Sequence, residues 1–178
     1  MVNRNSIWNS AGLSGIILGG VSILYVLCNM LTAGLAKMGT GAGIAAGLLN
    51  AILWVGKFYV SITIMKTVLY TFSREDADAG RGKIFRRGVL VAFLSALVYS
   101  AFYMAYMQFM APDVFSEALD ILRENPAVTE EAYEMFENMM PMMPTYTFIG
   151  NLIYCTLFGT VVSAIFSNKI MSDNPFDE

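Results

Sequence analysis

The chain has no histidine. That absence removes the commonest general base, the usual zinc sites and any Ser-His or Cys-His nucleophile pair. Cysteine is scarce: the two thiols in 178 residues, Cys28 and Cys155, both lie in apolar runs. Buried free thiols are expected there, rather than a disulfide or a metal pair. Charge is short too. Asp, Glu, Lys and Arg make up 14% of the residues, against roughly a quarter in a soluble domain. No basic stripe carries the aromatic or groove-reading residues of a nucleic-acid binder, so no nucleic-acid partner is expected. "GRGK" lacks the later glycines and the Ser/Thr of a phosphate-binding loop. No cofactor is expected. What remains is apolar: 56% hydrophobic residues and a mean hydropathy of +0.56, the composition of a membrane protein.

Four segments, about 11–35, 44–72, 88–110 and 147–166, are long enough to cross a bilayer, which takes about 20 apolar residues. The first is too long for a signal-peptide core and reads as retained. The fold class is therefore all-α: an integral membrane four-helix bundle over residues 1–170, with an outer segment at 111–144 and a short tail at 171–178. Basic residues set the orientation. Arg74, Arg81, Lys83, Arg86 and Arg87 fall between spans two and three, Arg4 precedes span one, and Lys169 follows span four. The other connections have one basic residue each, Lys37 and Arg123. Both termini and the middle loop are thus expected in the cytoplasm. Lys66, Arg81, Lys83, Arg86 and Arg87 are expected to touch anionic headgroups.

Small or short residues recur four apart: Ala11, Gly15 and Gly19 in span one; Gly88, Ala92, Ala96 and Ser100 in span three; Asn151, Cys155, Gly159 and Ser163 in span four. Such stripes let helix backbones approach closely in lipid. They predict tight packing, within one chain or between copies. Tyr99, Tyr103 and Tyr106 share a face of span three. Tyr106 is expected in an interfacial belt and Tyr99 in the interior.

Lys57, in "LWVGKFYVSITIMKTVL", is the anomaly. A lysine at mid-span costs roughly 2.5–3.5 kcal/mol, so it should face a partner or water. Lys66 can snorkel to phosphates. Lys57 lies nine residues earlier, about 13 Å up the helix. No span contains Asp or Glu. The partners left are Asn29, Asn50, Tyr99, Asn151, Tyr154 and backbone carbonyls. Two readings stand: span two is shifted so that Lys57 meets interfacial water or an outer carboxylate, or Lys57 lines a pocket for an anion such as a lipid phosphate.

The outer segment predicts two short amphipathic helices lying on the surface. The first has an apolar side of Val114, Phe115, Ala118 and Leu122. The second is capped by Thr129, with Ala132, Met135, Phe136 and Met139 inward. Its methionines, Met135, Met139, Met140, Met142 and Met143, allow a weak copper(I) reading, because thioether sulfur suits that ion. A flexible lid packed by methionine is the ordinary reading, and no metal is expected.

The order of a basic "GKIFRRG", then "SALVYSAFYMAYMQFMAPDVFSE", an acidic methionine-rich segment, "FIGNLIYCTLFGTVVSAIFSNKI" and "NPF" resembles the bacterial membrane family catalogued as domain of unknown function 4199. The resemblance covers essentially the whole chain. It implies a small four-span inner-membrane protein, and a setting beside lipid-phosphate glycosyl transfer. With no histidine, no intramembrane acid pair and no metal set, a non-enzymatic accessory or scaffold subunit is expected, contacting the lipid bilayer and a partner membrane enzyme. The rival expectation is a small homo-oligomeric transporter or lipid flippase.

Overall fold

The structure, a computed structural model, describes residues 4–36, 38–76, 79–111 and 113–172. Lys37, used for orientation, and residues 173–178 of the tail lie outside the described residues, as does the Arg4 side chain. Six α-helices follow one another with no strand among the described residues: α1 Arg4–Ala36, α2 Thr40–Glu75, α3 Arg81–Phe109, α4 Val114–Glu124, α5 Glu130–Met139 and α6 Met143–Ser172. The four long helices are the four expected spans, and this is a multipass membrane protein. Each helix outruns its apolar stretch. The 36 residues of α2 reach about 54 Å at 1.5 Å per residue, well beyond a hydrocarbon core of about 30 Å.

The long helices stand in the ring order α2, α1, α3, α6, and the ring closes loosely between α6 and α2. The small-residue stripes explain the tight seams. A Cβ on Gly15 would lie 2.8 Å from Leu94 Cβ, and one on Gly19 would lie 3.1 Å from the Ser95 carbonyl oxygen. Those glycines bring α1 onto α3. On the other side of α3, Gly88 sits against Ser163 and Gly159 against Ala92, which is the register of an antiparallel α3–α6 pair. Ala96 and Ser163 are buried at the same seam. Close approach without bulky side chains is how helices gain dispersion contacts in lipid. No comparable stripe ties α2 down. Buried residues make up 39% of the most apolar stretch of α3 but only 6% of that of α2.

Gly39 turns the chain from α1 into α2 with φ +135°, a backbone conformation that L side chains rarely adopt. Thr129 caps α5: its hydroxyl accepts from the Ala132 N–H at 3.4 Å. A 3₁₀ turn, Met140–Met142, leads into α6. Pro144 then occupies the first turn of α6, where a missing N–H costs little. In α4 the inward side differs from the expected one. Leu119 is buried with Phe115 and Leu122 half-buried, while Ala118 is exposed. Longer side chains at i, i+4 and i+7 cover more surface than alanine can, and they take the inner face. In α5, Ala132, Phe136 and Met139 are half-buried as expected, and Met135 is exposed, with Tyr133 beside them instead. The Arg123 guanidinium of α4 lies 5.7 Å from the Tyr133 ring centre, joining the two short helices.

Candidate functional site

Lys57 sits midway along α2 and is half-buried. Its Nζ lies 4.9 Å from the ring centre of Tyr99 on α3, 5.1 Å from Tyr25 on α1 and 5.9 Å from Phe58 on its own helix. All three are within the roughly 6 Å at which a ring face attracts a cation. Each such contact is worth about 0.5–2 kcal/mol, more when desolvated. Three together match the roughly 2.5–3.5 kcal/mol cost of a lysine at mid-span. The ammonium therefore stays in the bundle without a carboxylate. Among the described residues Lys57 forms no salt bridge.

All four long helices line a cavity beside this group, with a volume of about 60 Å³. A water needs about 10–15 Å³, so the space holds a few. Its polar lining is Lys57, Ser61, Ser22, Ser95, Tyr99, Tyr154 and Cys155. Phe58 and Phe158 cross the loose α2–α6 seam edge to face, with ring centres 5.2 Å apart, and Trp54 meets Phe58 edge to face at 4.6 Å. Tyr154 lines the cavity while being 58% exposed, so the space reaches the bundle surface on the α6 side.

Of the partners expected for Lys57, Tyr99 and Tyr154 share its cavity. Asn29 and Asn50 meet elsewhere. The Thr32 hydroxyl approaches the Asn50 side-chain oxygen at 2.6 Å and the Asn29 carbonyl at 2.9 Å, tying α1 to α2 nearer the α4–α5 end. Asn151 is half-buried and does not line the cavity. Among the described residues Lys57 meets no carboxylate and lies over a box of aromatic faces. Tyr25, Phe58 and Cys155 were not among the expected site residues. The signal for them was the absence itself: a cation with no acid at its depth calls for ring faces as well as polar atoms.

A second, larger groove of about 420 Å³ runs between α1 and α3 toward the α4–α5 end. Tyr25, Asn29, Tyr99, Tyr103 and Tyr106 line it, with Tyr99–Tyr103 and Tyr103–Tyr106 ring centres both 5.8 Å apart. Tyr99 is buried and Tyr106 half-buried. Tyr99 lines both spaces.

At the other end of the bundle, Lys66 is exposed, its Nζ 5.7 Å from the Tyr70 ring centre. Arg81, Lys83 and Arg86 are exposed at the start of α3, and Lys83 lies 3.8 Å from Asp76. Arg87 departs from that group. It is buried, with its guanidinium 5.1 Å from the Phe72 ring centre. The reason is helical phase: Ile84, Arg87, Gly88 and Val91 form the packed face of α3, and Arg86 points a third of a turn away. In the methionine-rich segment Met135 and Met142 are exposed, and Met139, Met140 and Met143 are half-buried. The Met142 sulfur accepts from the Tyr146 hydroxyl at 3.5 Å.

A family profile described as "Protein of unknown function (DUF4199)" matches residues 13–168. Neither a curated protein nor a solved structure matches the chain.

Proposed function

Since the chain belongs to the DUF4199 family, whose description assigns no reaction, we propose its function from its own residues: a non-enzymatic subunit that holds an anionic amphiphile at Lys57 within a bacterial inner membrane. The observation carrying this reading is the Lys57 ammonium at mid-bundle, sheltered by three rings and, among the described residues, facing no carboxylate. Ring faces stabilise a cation without neutralising it. A phosphate or carboxylate entering the cavity gains a charge-assisted hydrogen bond at low dielectric. The hydroxyls of Ser22, Ser61 and Ser95 line the same space and supply further donors. The amphiphile's chains have lipid beside them, because α2 leaves Ile52, Val55 and Tyr59 uncovered.

Lys57→Met tests the reading. Native mass spectrometry of the detergent-purified full chain should show retained anionic phospholipid in the wild type and at least about tenfold less in the variant, the worth of one charge-assisted bond. Equal retention would sink the proposal. A partner membrane enzyme, of the lipid-phosphate glycosyl transfer class, belongs to the same proposal. Its test is a pull-down in mild detergent, in which a stable enzyme partner supports the subunit role. Tyr99, lining both cavities, favours a second reading, a homo-oligomeric transporter or flippase. Lipid flux in vesicles carrying the purified chain alone would support that one.

A further inference from the structure

We infer that the tyrosine groove between α1 and α3 selects the headgroup of the ligand held at Lys57, and that the headgroup it takes is a hydroxylated phosphate ester, with phosphoglycerol as the simplest case. This rests on the reading of Lys57 as the anion's partner.

Size is the first argument. The cavity beside Lys57, at about 60 Å³, accommodates a few waters or the tip of a ligand. The groove, at about 420 Å³, lies within the 300–1,000 Å³ range of small-molecule sites. Adjacency is the second. Tyr99 lines both spaces, and Tyr25 lines the groove while lending its ring to Lys57. The two rings nearest the ammonium are therefore part of the groove's lining, and a headgroup in the groove lies against them. Chemistry is the third. Each phenol both donates and accepts, and a carboxamide does the same. Among the described residues no hydrogen bond engages the hydroxyls of Tyr25, Tyr99, Tyr103 or Tyr106. A row of hydroxyls left open along aromatic walls matches the alternating donors and acceptors of a polyol. It does not match an amine headgroup. Tyr rings do attract cations, but the Lys57 ammonium already lies over Tyr25 and Tyr99 at 5.1 and 4.9 Å and repels a second positive charge.

The test adds phosphatidylglycerol, phosphatidic acid or phosphatidylethanolamine to the full chain in detergent and reads retention by native mass spectrometry. The wild type should retain phosphatidylglycerol about tenfold better than phosphatidic acid, the worth of one or two hydrogen bonds. Tyr103→Phe with Tyr106→Phe keeps both rings and hence the packing of α3. That double variant should bring phosphatidylglycerol down to the level of phosphatidic acid, which it still binds through Lys57. An unchanged ratio in the double variant overturns this inference and leaves the Lys57 reading standing. Wild-type retention of phosphatidylethanolamine equal to that of phosphatidylglycerol also overturns it. If Lys57→Met retains both anionic lipids in full, the Lys57 reading falls and takes this inference with it. Glycerol 3-phosphate, added as a competitor, separates the two sources of the headgroup. Displacement of the lipid supports a soluble ester as occupant, and resistance to it supports the lipid.

Discussion

Tyr99 stands at the junction of the cation, the small cavity and the tyrosine groove, so it is the residue at which ring face and hydroxyl can be separated. Tyr99→Phe keeps the face and should leave thermal unfolding in detergent unchanged. Tyr99→Leu removes it and should lower stability by about 1–2 kcal/mol, the worth of a desolvated cation–π contact. Lys57→Met should unfold no earlier than the wild type, because replacing a sheltered charge by an apolar side chain of similar size is often neutral or stabilising. A protein that tolerates Lys57→Met and not Tyr99→Leu holds its lysine for a purpose other than stability. The anomaly of Lys57 was legible from "LWVGKFYVSITIMKTVL" and the missing acids alone. Its solution was not. Asn29 and Asn50 looked like natural partners because they carry polar atoms, yet they serve Thr32. Ring faces leave no mark on hydropathy, and which faces converge depends on how three helices stand together.

Between helices, the glycine stripes decide which seams are tight. Gly88→Ala and Gly159→Ala place a methyl group against Ser163 and Ala92, and each should cost about 1–3 kcal/mol, the price of overpacking. Gly12→Ala and Gly20→Ala meet nothing within 4 Å and should be neutral or slightly stabilising, since glycine is a poor helix former. Chemical denaturation in mixed micelles separates the two pairs. Thr129→Ala should speed amide exchange over Glu130–Met139 and leave α3 unaffected, because a lost cap costs about 1 kcal/mol locally. These features were readable in advance because they are local: a four-residue period, or a threonine before two glutamates. Helix ends were less so. Hydropathy marks the part of a helix that lies in hydrocarbon, and the backbone ladder continues past it. Arg87 shows the limit on the other side. Its place in a basic run suggested a surface role, and its helical phase puts it inside.

For the molecule as a whole, the four spans among the described residues put the start of α1 and the end of α6 on one side, and the exposed Arg81, Lys83 and Arg86 gather at that same end. A reporter that works only in the cytoplasm, fused after Glu178, should be active. Fused between α4 and α5, near Pro126, it should be silent. The opposite pattern would invert the orientation argued from the basic residues. The count of spans could be read from the chain because it needs only length and apolarity. The ring order could not, since it depends on which stripes find one another.

The aromatic box around Lys57 also bears on how the chain is made. Proteins are synthesised from the N-terminus, and the box draws its rings from α1, α2 and α3 in that order. When α1 and α2 enter the bilayer as a hairpin, Tyr25 and Phe58 arrive with the lysine, and Tyr99 is still to come. The cation thus makes its crossing partly sheltered by residues already present. The arrival of α3 completes the shelter and in doing so fastens α2, the span with the weakest grip on its neighbours, to the growing bundle.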